Sequence, residues 1–163
     1  MRTERTDFYD PERISEGVRK RVEELVDEGE LVEVEYGEVQ ALQEHSLVEI
    51  EQYGGARCLR REEVTAEHAT RARRGMERAR EKMGSGDFNI VILDEVNVTI
   101  WFGLLAVDEV LAFLEERPPT VEVILTGRYA PAEILAKADL VTEMREVKHY
   151  FTQGVLARDG IES

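Results

Sequence analysis

A chain of 163 residues, 42% apolar and 34% charged, has the size and composition of one soluble globular domain, able to bury about two thirds of its unfolded surface. The formal net charge of −14 excludes non-specific attraction to nucleic acid or an anionic membrane, because the field of the whole molecule repels phosphate. A lone cysteine, Cys58, excludes an internal disulfide and any cysteine-based metal framework, as expected in a reducing compartment. No apolar run is long enough to cross a bilayer and no basic-then-apolar leader pattern opens the sequence, so the chain is expected in the cytoplasm.

Asp10-Pro11 reads as a helix start, and Ile14, Val18, Val22, Leu25 and Val26 follow at helical spacing up to Gly29. "LVEVEYG", from Leu31, and "LVEIEQYGG", from Leu47, alternate apolar and acidic residues and are expected as strands toward a sheet edge, joined through Gln40 to Ser46. From Thr65 to Met83, Ala69, Ala72, Met76, Ala79 and Met83 step by three and four, predicting a surface helix packed on one side and stopped at Gly84 to Gly86. "NIVILDEV", from Asn89, has no alternation and is expected as a central strand covered on both faces. Val107 to Glu116 then reads as helix, "VEVILTGR" as strand, "APAEILAKA" as helix and "LVTEM" as strand. Alternation of strand and helix at this spacing predicts an α/β fold, a mostly parallel doubly wound sheet of five to six strands in a single domain over residues 1–163.

In an open parallel sheet, ligands bind beyond the carboxyl ends of the strands. One such end is Asp94-Glu95, the next is Thr126-Gly127-Arg128, and the last runs into Glu143, Arg145, Lys148 and His149. Carboxylates there can hold Mg²⁺ while a phosphate chain supplies further oxygens, and arginine can clamp phosphate bidentately. Each element has a plainer reading as well: the acidic pair as a helix cap, Thr126-Gly127 as a turn, Lys148-His149 as a solvated pair. The arginines of Arg71 to Arg74 read as a solvated helix face, and His45 and His68 have no ligand spacing to one another. Trp101-Phe102 read as core packing, with shielding of a planar ligand as the alternative.

"GDFNIVILDEVN", the run from Gly103 through "LTGRYAP" and "ADLVTEMREVKH" to Val155, and the final "GIE" together resemble the ATP:corrinoid adenosyltransferases of cobalamin biosynthesis and salvage. "VEVEYGEVQAL" and "VEIEQYG" extend the resemblance backwards more weakly. The resemblance implies a P-loop NTPase-like three-layer sheet on which a cob(I) corrinoid attacks the 5′ carbon of ATP and releases triphosphate. It further implies Asp94 and Glu95 at the Mg²⁺ of that triphosphate, Asn97, Thr126 and Arg128 at the nucleotide, Arg145, Lys148 and His149 at the corrinoid or rim, and a homodimer.

The sequence departs from the family at its first motif. No glycine is followed by lysine, and the slot for the glycine-rich phosphate loop, near Arg5 to Arg13, carries Asp7, Asp10 and Glu12, so the loop is expected to be degenerate. Where an aromatic-rich segment usually follows the third strand, "YGGARCLRREEVT" offers only Tyr53, and the tail has Leu156, Asp159 and Ser163 where a lysine, an arginine and an aromatic are commoner. Two functions follow: an adenosyltransferase, active alone or completed by a partner chain bearing the phosphate loop, or a non-catalytic relative serving as a corrinoid-binding, partner or regulatory subunit. A Mg²⁺-dependent phosphohydrolase finds no nucleophile or base in the sequence.

Overall fold

The computed structural model describes residues 37–43, 45–54 and 61–155. The helix expected from Pro11, the strand expected from Leu31, the acidic slot at Arg5 to Arg13, Cys58 and the tail beyond Val155 lie outside them. The chain divides into two compact units, one of residues 50–143 and one of residues 1–49 with 144–163.

In the second of these units, helix α1, Gly37–Gln43, is followed by a turn in which Val48 donates its N–H to the carbonyl of His45 at 3.0 Å. His45 Nδ1 accepts the N–H of Leu47 at 3.3 Å, a local backbone role rather than a ligand role. The same unit contains a 3₁₀ turn at Tyr150–Gln153.

The unit of residues 50–143 carries a βαβ arrangement. Helix α2, Ala66–Ser85, starts where His68 Nδ1 accepts the N–H of Thr65 at 3.0 Å, and it stops at Gly86, whose φ of 84° is the left-handed ending that glycine adopts most readily. Strand β1, Ile90–Leu93, leads into a short helix α3, Val96–Trp101, and then α4, Val107–Glu115. Strand β2, Glu122–Leu125, pairs in parallel with β1 in the register Ile90↔Glu122 to Leu93↔Leu125, and α5, Ala132–Lys137, follows. The α/β class with parallel strands is as the sequence predicts. The helices of the core are also close to their expected spans, because their apolar stripes match the buried face: Met83, Val110 and Phe113 are the most deeply buried side chains, with Val91, Val121 and Ile134 around them.

Three strand expectations are corrected. β1 does alternate in burial: Val91 is buried, whereas Ile90 and Ile92 are 53% and 58% exposed, since the described helices cover one face of the sheet only. Leu140 to Met144 forms no strand among the described residues, and Leu140, Val141 and Met144 are all more than half exposed; β-propensity without a partner strand does not make a ladder. The run from Leu47 likewise has no strand pairing among the described residues. Its residues 51–54 are held to α2 by side chains instead: Arg78 Nε donates to Glu51 Oε1 at 2.8 Å, and the Tyr53 ring lies so close to Gly75 that a Cβ there would meet it at 3.0 Å. Hydrogen bonds from the Tyr53 hydroxyl and from Arg78 hold the Glu51 carboxyl below its usual range.

Ion pairs join the helices at the surface. Arg71 pairs with Glu67 within α2, while Arg73 and Arg80 reach Glu109 and Glu116 on and just beyond α4, at 3.2 and 2.5 Å. The arginine-rich face of α2 is therefore a salt-bridged surface, as its acidic flanks imply. No helix among the described residues is long and apolar enough to cross a membrane.

Glu109 also caps α4, its Oε2 accepting the N–H of Ala106 at 2.7 Å, and this bond, ahead of Arg73, lowers its pKa from 4.5. A carboxyl with a depressed folded pKa adds stability above its ordinary value and loses it as pH falls through the folded one. Glu109→Ala is expected to lower unfolding stability by about 1 kcal/mol at neutral pH. In urea titrations run from pH 7 downward, the difference from wild type should shrink once the pH drops below 4.5.

Candidate functional site

The parallel register sets Leu93 beside Leu125, so the next residues, Asp94 and Thr126, leave the sheet side by side. Thr126 is the junction. Its backbone N–H donates to the Leu93 carbonyl at 3.2 Å, extending the ladder by one residue. Its hydroxyl donates to Asp94 Oδ1 at 2.6 Å and accepts the Glu95 N–H at 2.9 Å, and its carbonyl accepts the Asn97 N–H at 3.2 Å. One threonine thus ties both acidic residues and the first turn of α3 to the end of β2.

The backbone around this knot is strained in a directed way. Glu95, at the start of α3, has φ 56°, a left-handed conformation that costs a residue with a Cβ about 1–2 kcal/mol. Gly127 opposite it has φ 110°, and a Cβ there would lie 3.2 Å from Glu95 Cα and 3.3 Å from the Val98 nitrogen. Glycine at 127 is required on both counts, and it lets the two strand ends close on each other. Tyr129 is a second non-glycine residue in the left-handed region, with φ 62°. Its ring stacks on Trp101 at 4.7 Å and 24°, the sort of aromatic pair that adds about 0.5–1.5 kcal/mol beyond burial, enough to offset much of that strain.

Asp94, Glu95 and Arg128 are exposed, Thr126 is half-buried, and Asn97 is only 5% exposed. Among the described residues the Asn97 side-chain oxygen is buried without a hydrogen-bond partner. An orphaned buried acceptor costs about 1–3 kcal/mol, and this one sits in the first turn of a helix that opens from the carboxylate pair. Two exposed carboxylates beside a hydroxyl are hard oxygen donors of the kind that suits Mg²⁺, which binds proteins through one or two carboxylates and takes its other ligands from water or phosphate. Among the described residues there is no group of three or more His, Cys, Asp or Glu side chains placed to hold a metal by themselves. The residues present fit a shared Mg²⁺–phosphate site and not a closed protein cage.

Of the eight residues singled out in the sequence, the unit of residues 50–143 brings together Asp94, Glu95, Asn97 and Thr126, with Arg128 two residues beyond Thr126. Arg145, Lys148 and His149 belong to the other unit, where each is exposed and the His149 ring tilts against Tyr150 at 4.8 Å. Trp101, read as core, is 37% exposed and outside the core cluster, because α3 is a single short helix whose buried positions are Val96, Asn97 and Ile100. The reading of the acidic pair as a helix cap fits α3, whose N-cap is Glu95 though without a side-chain cap bond, but nothing in the sequence pattern marked Gly127 as a point of close approach or the pairing of Trp101 with Tyr129. A shallow groove of about 420 Å³ lies elsewhere in this unit, lined by Glu51, Gln52, Tyr53, Gly54, Arg71 and Arg74, and it contains no member of the rim.

Thr126→Val keeps the shape and removes every hydroxyl contact. It is expected to cost about 1 kcal/mol in stability and to speed amide hydrogen exchange at Glu95, whose N–H loses its acceptor. Gly127→Ala, strained by its φ and by backbone contact, is expected to cost about 1–3 kcal/mol in thermal unfolding.

Comparison with known proteins bears on the same residues. The family described as ATP:corrinoid adenosyltransferase BtuR/CobO/CobP matches residues 30–163. A corrinoid adenosyltransferase of Sinorhizobium sp. is 40% identical over 92 residues, 56% of this chain and 43% of the relative. One from Escherichia coli strain K12 is 39% identical over 84 residues, 52% of this chain and 43% of the relative. An uncharacterised protein of Nostoc sp., all2391, is 38% identical over 117 residues, 71% of this chain and 31% of its own length. The chain thus spans less than half the length of these relatives. The match nonetheless covers most of the chain, with both strands and the whole rim inside it, and the protein belongs to the ATP:corrinoid adenosyltransferase BtuR/CobO/CobP family.

Proposed function

We propose that the β1–β2 rim is the metal–triphosphate part of a corrinoid adenosyltransferase site, serving transfer of the adenosyl group from ATP to a cob(I) corrinoid. The observation that carries this reading is the Thr126 knot, which holds Asp94 and Glu95 at one strand end beside the buried, unpartnered Asn97 oxygen. In this role Asp94 and Glu95 would hold Mg²⁺, which when bound neutralises phosphate charge on the leaving triphosphate. Thr126 orients Asp94 through its hydroxyl, Asn97 offers an acceptor in the first turn of α3, and Arg128 supplies a guanidinium for phosphate oxygens. Arg145, Lys148 and His149 are assigned to the corrinoid side on resemblance alone.

The glycine-rich, lysine-bearing loop that cradles the phosphates in the family is not in these 163 residues. We infer that it comes from outside them, on a partner chain or on further sequence of the same protein. The exposure of Ile90, Ile92 and Ile124 supports a larger architecture, since the two parallel strands among the described residues, with one bare apolar face, do not make a finished fold. In this reading β1 and β2 are the described part of a five- to six-stranded P-loop NTPase-type sheet. A single domain over residues 1–163, a homodimer and a cytoplasmic location belong to the same proposal.

The test is formation of adenosylcobalamin from Mg-ATP and chemically reduced cobalamin, by the purified chain alone and with cell extract supplying the loop-bearing partner. Glu95→Gln and Asp94→Asn are expected to lower the rate about 10²–10³-fold, the scale of losing one preorganised electrostatic contact. No product under either condition would refute the enzyme reading. Corrinoid binding without Mg-ATP affinity in calorimetry would leave the chain as a binding subunit.

A further inference from the structure

The chain contains one tryptophan, Trp101, and it ends α3, the helix that begins at the acidic pair. Three side chains meet its indole. Tyr129 stacks at 4.7 Å, Phe102 approaches edge-on at 5.1 Å, and the Arg61 guanidinium carbon lies 5.1 Å from the ring centre. A ladder this exposed does little for the core. Its connections give it a different role, because Tyr129 is the strained residue that follows Arg128, and Arg61 opens a 3₁₀ turn at Arg61–Glu63, far from both in sequence.

α3 and the loop after β2 are consequently tied at two places. At one end, the Glu95 and Asn97 N–H groups bond to Thr126. At the other, Trp101 stacks on Tyr129. Between the two ties lie Gly127 and Arg128, which by themselves have no regular structure. With the stack removed, the left-handed Tyr129 loses the ring contact that offsets its strain, and relaxing its φ swings the chain that carries Arg128 and Thr126.

We propose that Trp101, capped by Arg61, is a positioning residue for the rim. It holds Tyr129 in its left-handed conformation and so sets the turn from Thr126 to Arg128 against Asp94 and Glu95. Neither Trp101 nor Arg61 contacts the ligand in this scheme. The inference rests on the rim reading above for what is positioned, but the ladder can be tested without any ligand.

The first arm is amide hydrogen exchange on the free protein. Trp101→Ala is expected to accelerate exchange at Glu95, Asn97 and Thr126 about tenfold, with the core amides of Val110 and Phe113 changed less than about twofold. Trp101→Phe, which keeps an aromatic face, is expected to restore slow exchange at the rim, and Arg61→Ala to give a smaller effect in the same direction. The second arm is calorimetric titration with inorganic triphosphate and Mg²⁺, where Trp101→Ala is expected to bind about tenfold more weakly and Trp101→Phe within about twofold of wild type. Equal acceleration of rim and core amides, or an unchanged rim in Trp101→Ala, would overturn the proposal. If wild type binds no Mg²⁺–triphosphate, the reading that the rim binds triphosphate without the outside loop falls, while the exchange arm still decides whether Trp101 positions the rim.

Discussion

Everything the rim can do depends on one hydroxyl. Thr126 Oγ1 donates to a carboxylate and accepts a backbone N–H at once, and a hydroxyl serves both directions through one atom without a change of protonation. The parallel register makes the contact possible by bringing β1 and β2 to an end together, and Gly127 makes it close by having no Cβ to hold the strand ends apart. Asp94 is then oriented with one oxygen engaged, and Glu95 is pinned in a conformation it would not choose alone. Strain of about 1–2 kcal/mol per left-handed residue is sustained because several hydrogen bonds and a ring stack converge on the same short stretches of chain.

The acidity of the chain sharpens what this rim needs. Most arginines of α2 are matched by carboxylates of the same helix or of the region of α4, so they stiffen the surface without offering free positive charge to a ligand. At the rim, among the described residues, two carboxylates stand against the guanidinium of Arg128. Polyphosphate brought there without a cation would meet net repulsion, and in a partly dry site each close like-charge contact costs on the order of a few kcal/mol. A divalent cation reverses the sign locally. The geometry and the charge balance therefore both agree with the proposed Mg²⁺ role of the rim.

Much of this was legible in the sequence, for identifiable reasons. The helical stripes of Ala72, Met76 and Met83 and of Val110 and Phe113 are long enough to fix which face is buried, and the acidic strand end with its following LTGR stood out because the carboxyl ends of parallel strands are where sites form. What was not legible depends on contacts remote in sequence. An unbroken apolar run such as "NIVIL" reads as covered on both faces, yet Ile90 and Ile92 are bare, since coverage is decided by other elements and not by the strand. "LVTEM" has strand chemistry and no partner among the described residues. The stack of Trp101 on Tyr129 joins residues on two elements and has no local signature at all.

Asn97 links the geometry of the knot to the charge balance of the rim. Its backbone N–H is used by Thr126, so α3 must begin where it does, and that beginning forces the side chain inward, where the described residues leave its oxygen with no donor. An apolar residue of similar size would remove the penalty of about 1–3 kcal/mol at no cost to packing. That the chain carries an amide here, next to two oriented carboxylates, agrees with the proposed nucleotide role of Asn97 better than with a role in stability. In the proposed function the site is one half of an electrostatic cradle: it presents acceptors for a cation and for a donor, with the phosphate-binding amides supplied from outside these residues.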